Sequence, residues 1–181
     1  MKDKRQRLVE SVRQYGLRYP GESVVVERFI DFITTCEDCS ERSHLDRHLT
    51  GAAWLVNQAH SHVLLTHHRR LNMWLQLGGH ADGNIDIVEV ATREAYEESG
   101  LRQMQLISEE VFDLDIHAIP ASGGVPEHEH YDIRYAFEVK GDETYTVSDE
   151  SNDLRWVEIS RINEYTVEPS MLRMSEKWLN R

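Results

Sequence analysis

Cationic residues are scarce in this chain: 20 lysines and arginines stand against 32 aspartates and glutamates, a formal net charge of −12. That deficit argues against a protein that coats nucleic acid or anionic membrane, because both demand basic surface. It leaves room for an acidic site that gathers cations and, through them, phosphates. Long apolar runs are also missing; the longest are strand-sized, and none could span a bilayer. The opening segment MKDKRQRLVESV is basic but has no apolar core, so no signal peptide is expected and the cytoplasm is the default compartment. Cysteine is limited to Cys36 and Cys39. In CEDCSERSHLDRH the pair is followed by His44 and His48, ligand types that suit zinc. One CxxC without a partner pair is a weak zinc signal, and ordinary packing or surface thiols is the expectation. What is present in ordinary amount is apolar residue (40%) and charge (29%), which at 181 residues suggests one domain with a well-buried core.

Residues 4–15 and Val24 to Thr34 read as helices, the second with Val25, Phe29, Phe32 and Ile33 at helical spacing. This leading segment, residues 1–45, carries no visible chemistry and reads as a helical extension that packs on the main domain or on a second subunit, so a homodimer is one expectation. The main domain runs over 46–181. TGAAWLVN and HVLLTHH read as two strands of a hairpin-like meander, and MWLQLGG as a third that runs into a glycine turn. Strand-like stretches recur in 104–119, 130–140 and 154–159, and PSMLRMSEKWLN closes as an amphipathic helix carrying Leu172 and Trp178. Helices before, within and after a run of strands imply a layered α/β fold with a mixed sheet. The loop PASGGVPEHEH is a candidate substrate loop.

The densest signal is GGHADGNIDIVEVATREAYEESGL, a glycine turn feeding a helix that stops at Gly100. Asp86 with Glu89 suits a capping box, and Asn84 is an equal candidate for the cap. On a 3.6-residue wheel, Ile87, Val90, Ala91, Glu94, Glu97 and Glu98 share one broad face. The apolar stripe turns acidic after Ala91, which points the carboxylates toward the domain rather than into bulk water. Like charges at that spacing destabilise a helix by a few tenths of a kcal/mol per pair, and partial burial costs more. A hard divalent cation such as Mg²⁺ or Mn²⁺ removes the conflict, because it takes oxygen ligands. On geometry alone, a solvated charged face and a metal site both stay open. Arg93 sits beside Glu94 and four residues before Glu97, so it can hold a carboxylate or a phosphate oxygen.

Gly79, thirteen intervening residues, then Arg93-Glu94-Ala95-Tyr96-Glu97-Glu98-Ser99-Gly100-Leu101 resembles the signature of the Nudix hydrolases. One position departs: Ile85 stands where that family has a Glu that supports the loop and helix, and Asp86 or Asp82 is the nearest substitute. The resemblance implies an α/β/α sandwich with a mixed β-sheet, and hydrolysis of a nucleoside diphosphate linked to another moiety. It implies Glu94 and Glu98 as the main Mg²⁺ or Mn²⁺ ligands with the Gly78 carbonyl, and Glu97 as ligand to a further ion or to water. Arg93 would orient Glu97 and its neighbours. The general base would be Glu94 or an acid before the strand containing Trp156; Glu150 is chosen over Asp149 and Asp153, with a surface loop acid as its plain alternative.

On the substrate side, His80 suits a phosphate or base contact or a structural hydrogen bond. His128 and His130, on alternate positions, suit phosphate, sugar or a transition metal, or are simply exposed. Trp74 and Tyr131 suit stacking on a base or, as strand aromatics, core packing. The expected partner is a small nucleoside diphosphate derivative, without nucleic acid or membrane. Two rivals share the fold. A binding module that had lost catalysis would be expected to break the Glu94, Glu97, Glu98 set, which is intact. An isopentenyl-diphosphate isomerase would want a reactive Cys near Gly78-Gly79, and there is none.

Overall fold

A computed structural model describes residues 2–149 and 151–181. Among these, four α-helices flank eight strands: α1 (Lys2–Arg18), α2 (Ser23–Thr35), β1 (Arg47–Val56), β2 (His62–His68), β3 (Met73–Leu75), β4 (Leu77–His80), α3 (Ile87–Ser99), β5 (Met104–Leu106), β6 (Asp113–Ile119), β7 (His128–Val139), β8 (Ser151–Glu158) and α4 (Pro169–Leu179). Short 3₁₀ turns at Pro20–Glu22 and Ile159–Glu164 precede α2 and α4.

The sheet is mixed. Its spine is β1, buried from His48 to Val56 because layers cover both of its faces. It runs parallel to β7 over its whole length, from Arg47↔Glu129 to Val56↔Glu138, and antiparallel to β4. The expected β1–β2 hairpin is nearly absent: the two strands pair only at Val56↔Val63, and the long partner of β2 is β8. The MWLQLGG stretch is two strands, not one. It breaks at Gln76 so that β3 joins β2 while β4 crosses to β1. Residues 104–119 likewise split into β5 and β6. Because β1 occupies one edge of β7, both lie end to end along the other.

Strand alternation sorts side chains onto two faces. Leu49, Ala53, Leu55, Tyr131, Ile133 and Phe137 point toward α1, α2 and α3, in one core with Leu8, Val12, Phe29, Phe32, Ile87 and Val90. Trp54, Val56 and Ala136 point the other way, onto Met171, Met174 and Trp178 of α4. The result is the expected α/β/α sandwich. The extension packs on the main domain and shares its core rather than standing apart. Arg5 donates to the carbonyls of Ile33, Cys36 (2.7 Å) and Glu37, closing the C-terminal end of α2 where carbonyls lack helical partners.

Both cysteines are free thiols. Cys39 is buried under Arg5, 3.4 Å from its guanidinium, while Cys36 faces Asp38 at 3.2 Å. The four residues weighed for zinc therefore do not converge: Cys36 groups with Asp38 and His44, and His48 belongs to a different cluster.

On the α4 face, Arg134 is 2% exposed and donates to Asp132 (2.7 Å) and Asp113 (3.0 Å). Arg173 and Lys177 of α4 reach the same Asp113 at 2.8 and 2.7 Å. Burial alone would push the Asp113 carboxyl up; hydrogen bonds from Arg173 and the charges of Arg134 and Lys177 hold it below the usual carboxylate range.

Candidate active site

The acidic helix begins where its capping chemistry places it. Asp86 is the N-cap and accepts from the Glu89 N–H at 3.5 Å, while Asn84 accepts from the Asp86 N–H at 2.9 Å and donates to the Glu89 carboxylate at 3.1 Å. Both candidate caps thus act together. Gly100 ends the helix with φ at 64°, a left-handed conformation that costs glycine little. Close packing on the sheet depends on Gly51 of β1: a Cβ there would lie 2.9 Å from Val90 Cγ1. That contact lowers the first turns of α3 onto the strand and carries its carboxylate half to the glycine turn.

The stripe does run from apolar to acidic. Ile87, Val90, Ala91, Ala95 and Glu98 are buried on α3, with Glu98 7% exposed. Glu98 accepts from the Gly78 N–H at 3.4 Å. Glu94 lies against the next residue: a Cβ on Gly79 would sit 2.4 Å from Glu94 Oε2. Two carboxylates one turn apart therefore meet the same Gly78–Gly79 backbone, and only a residue without a side chain leaves room for them. Glu97 is exposed, at the rim.

Arg93 donates to Glu94 Oε1 at 2.7 Å and to the His80 carbonyl at 2.8 Å. It is tied directly to Glu94 and to the loop, whereas the resemblance implied Glu97 as its first partner.

Ile85 proves to be part of a different brace. It is half-buried against the core and, with Leu8, Asp86 and Tyr135, lines a cavity of about 280 Å³ between α1 and the start of α3. Lys4 of α1 reaches Asp86 at 3.1 Å. Asp82 is engaged by Arg42, and the Gly83 N–H donates to the Ser40 carbonyl at 2.9 Å. An apolar residue suits position 85 because the N-terminal extension supplies the contacts that hold this loop.

Of the remaining sequence-derived residues, Glu150 lies outside the described residues. Asp153 faces Arg155 at 3.2 Å at the start of β8. Trp74 is half-buried on β3, edge-on to Tyr165 at 5.9 Å and beneath the Arg155 guanidinium at 5.5 Å. Tyr131 is not available to stack on a base. Its ring is buried between Phe29 (5.1 Å) and Phe32 (4.6 Å), because odd positions of β7 face the helices.

His80, His128 and His130 are brought together, and the sequence did not signal their company: His48, paired with His130 across β1 and β7, and His117, paired with it across β6. Burial first, then the charges of Arg42 and His48, lower His80 to about 4; burial, then the neighbouring imidazoles, lower His130 to about 2. The His80 and His130 rings are therefore uncharged at physiological pH.

A family model described as the NUDIX domain matches residues 46–178. No curated protein matches. Among solved structures, a NUDIX-family hydrolase from Clostridium perfringens is 25% identical over 75% of this chain and 99% of that one, with a TM-score of 0.56. A MutT protein from Methanosarcina mazei Go1 is 18% identical over 76% of this chain and 96% of that one, with a TM-score of 0.58. An Ap4A hydrolase from C. elegans is 16% identical over 73% and 95%, with a TM-score of 0.60.

Proposed function

The chain belongs to the Nudix hydrolases, enzymes that cleave acid anhydrides at a pyrophosphate, and from that premise we propose that it hydrolyses a nucleoside diphosphate joined to another moiety, with Mg²⁺ or Mn²⁺ bound on α3. The observation that carries this reading is the convergence of Glu94 and Glu98 on the Gly78–Gly79 backbone. The donors suit the ion: two carboxylates and a main-chain carbonyl are hard oxygen ligands, and the space beside Glu94 is kept clear by the missing Cβ of Gly79. Glu94, Glu98 and the Gly78 carbonyl would hold it, with Glu97 at the rim for a further ion or its water. Once bound, a divalent ion screens the diphosphate charge and lowers the pKa of an attacking water.

The chain's own groups do the rest. Arg93 fixes the Glu94 carboxylate and ties it to the loop through the His80 carbonyl. The Gly78 N–H orients Glu98. Glu94 or Glu150 would take the proton released by the attacking water. His80, His128, His130 and Trp74 remain candidates for the substrate side. The test is a panel of nucleoside diphosphate derivatives, such as sugar nucleotides and ADP-ribose, assayed with Mg²⁺ and with Mn²⁺. Glu98→Gln is expected to lower turnover at least about 100-fold, the size of losing a key electrostatic group. Near-wild-type turnover would remove Glu98 from the metal site. No hydrolysis of any member by folded protein would refute the substrate class.

A further inference from the structure

Beyond a candidate substrate contact, the proposed hydrolysis assigns no chemical step to the histidines gathered around β1 and β7. One ring nitrogen from each of His48, His128 and His130 lies within 4.8 Å of the other two. The cluster is set by register: His48 of β1 stands opposite His130 of β7, and His128 precedes it by two residues on the same face. His80 and His117 flank it, their rings 5.1 and 5.5 Å from that of His130. By strand alternation these side chains are on the face of the sheet opposite α3: Gly79 points toward Glu94, and His80, its neighbour on β4, points away. The cluster is therefore separate from the carboxylate site.

Backbone carbonyls fix the orientation of two of its rings. His48 Nδ1 faces the His44 carbonyl at 3.3 Å, and His128 Nδ1 faces the Pro126 carbonyl at 2.9 Å. A carbonyl can only accept, so each Nδ1 carries the proton and each Nε2 presents a lone pair. This carbonyl-fixed tautomer is how metal-binding histidines are normally oriented. His128 Nε2 and His130 Nε2 are 3.2 Å apart. Two imidazole nitrogens about 2.05 Å from a tetrahedral zinc would be roughly 3.4 Å apart. A hydrogen bond donated by His130 could account for that pair alone. It does nothing for His48 Nε2, which is buried without a hydrogen-bond partner on a residue 3% exposed. A buried acceptor left unpaired loses its solvation without return.

We propose that His48, His128 and His130 form a second metal site, specific for a borderline transition ion of the Zn²⁺ class and distinct from the carboxylate site for Mg²⁺ or Mn²⁺. Three imidazoles give the ion nitrogen ligands, which Mg²⁺ avoids and Zn²⁺ favours, and leave a fourth position for water or a substrate oxygen. Asp115, 3.2 Å from His117, adds negative charge beside the cluster.

The test uses the full chain, stripped with chelator and titrated with Zn²⁺ and with Co²⁺ in excess Mg²⁺, which occupies the carboxylate site. One ion per chain is expected. The bound Co²⁺ should give a tetrahedral spectrum without the thiolate charge-transfer band that Cys36 would produce. His128→Ala should weaken binding at least ~100-fold, beyond the usual loss from a supporting outer group. His130→Asn provides a second variant should the first fail to fold. Glu98→Gln and Cys36→Ser should bind as wild type does. A stripped wild type that takes up no Zn²⁺ overturns the proposal. So does binding that survives His128→Ala but falls with Glu98→Gln or Cys36→Ser.

Discussion

Adding a single methyl at Gly79 separates the positioning of Glu94 from the stability of the fold. An ideal Cβ there lies 2.4, 2.6 and 2.9 Å from Oε2, Cδ and Oε1 of Glu94. The obstacle is the tip of one flexible side chain, so the strand need not move; the carboxylate retreats instead, by roughly 1 Å, and a misplacement of that size costs about 100-fold in rate. The fold loses at most the Arg93–Glu94 pair, worth up to about 1 kcal/mol for a partly exposed contact. At ~2–4 °C per kcal/mol in a chain of this length, Tm should fall by less than ~4 °C.

Gly51→Ala is the control. Its Cβ meets Val90 Cγ1 at 2.9 Å and Ile87 Cγ2 at 3.0 Å in the packed core. Overpacking there costs about 1–3 kcal/mol, or roughly 2–12 °C. Turnover with saturating Mg²⁺ and thermal unfolding by circular dichroism, measured on both variants, separate the two effects. If Gly79→Ala turns over within about threefold of wild type, Glu94 does not act from the position described, and the reasoning from that close approach fails.

Three other outcomes follow from the packing. A chain starting at residue 46 should not fold cooperatively, since it loses Leu8, Val12, Phe29 and Phe32 from a shared core; a sharp unfolding transition in that fragment would show an independent domain. Arg134→Met should cost about 3 kcal/mol, since it takes from buried Asp132 its cation and leaves Asp113 to Arg173 and Lys177 alone; the readout is a lower denaturant midpoint, and a change under ~1 kcal/mol would contradict it. Asp113 and Asp115 are both held below the usual carboxylate range, so their stabilisation is complete above an unfolded pKa of about 4 and is lost as pH falls below it. Denaturant midpoints should therefore drop from about pH 4 downward, less steeply in Arg134→Met; a flat profile there would refute the sign.

The acidic helix is legible because its information is local. Ile87, Val90, Ala91, Glu94 and Glu98 are spaced by the helix's own period, and Gly100 marks its end within the same stretch. Strand partners are set by long-range competition that no local pattern carries. His62–His68 reads as a hairpin partner of β1, yet its pairing is with β8, nearly ninety residues on. Trp74 and Tyr131 look alike as strand aromatics; only the parity of their strands against the helical layer buries one and leaves the other half open. Ile85 departs from the family pattern because its loop rests on α1, an element outside the matched family segment. The histidine cluster draws on β1, β4, β6 and β7, so only its 128–130 pair was visible in sequence.

The parallel pairing of β1 with β7 also sets a timetable for folding. Arg47 pairs with Glu129, a separation of 82 residues (129 − 47), and the register continues to Val56↔Glu138. Closing so long a loop costs entropy before the ladder repays it, and topologies rich in such contacts fold slowly. The local elements α3 and the β4 turn can form early, but the strand they rest on gains its main neighbour only when β7 docks. Until then, His48 and His130 are apart, and β1, apolar on both faces, has an open edge on which another chain can pair. The interval before β7 arrives thus delays assembly of the histidine cluster and leaves the β1 edge exposed to aggregation.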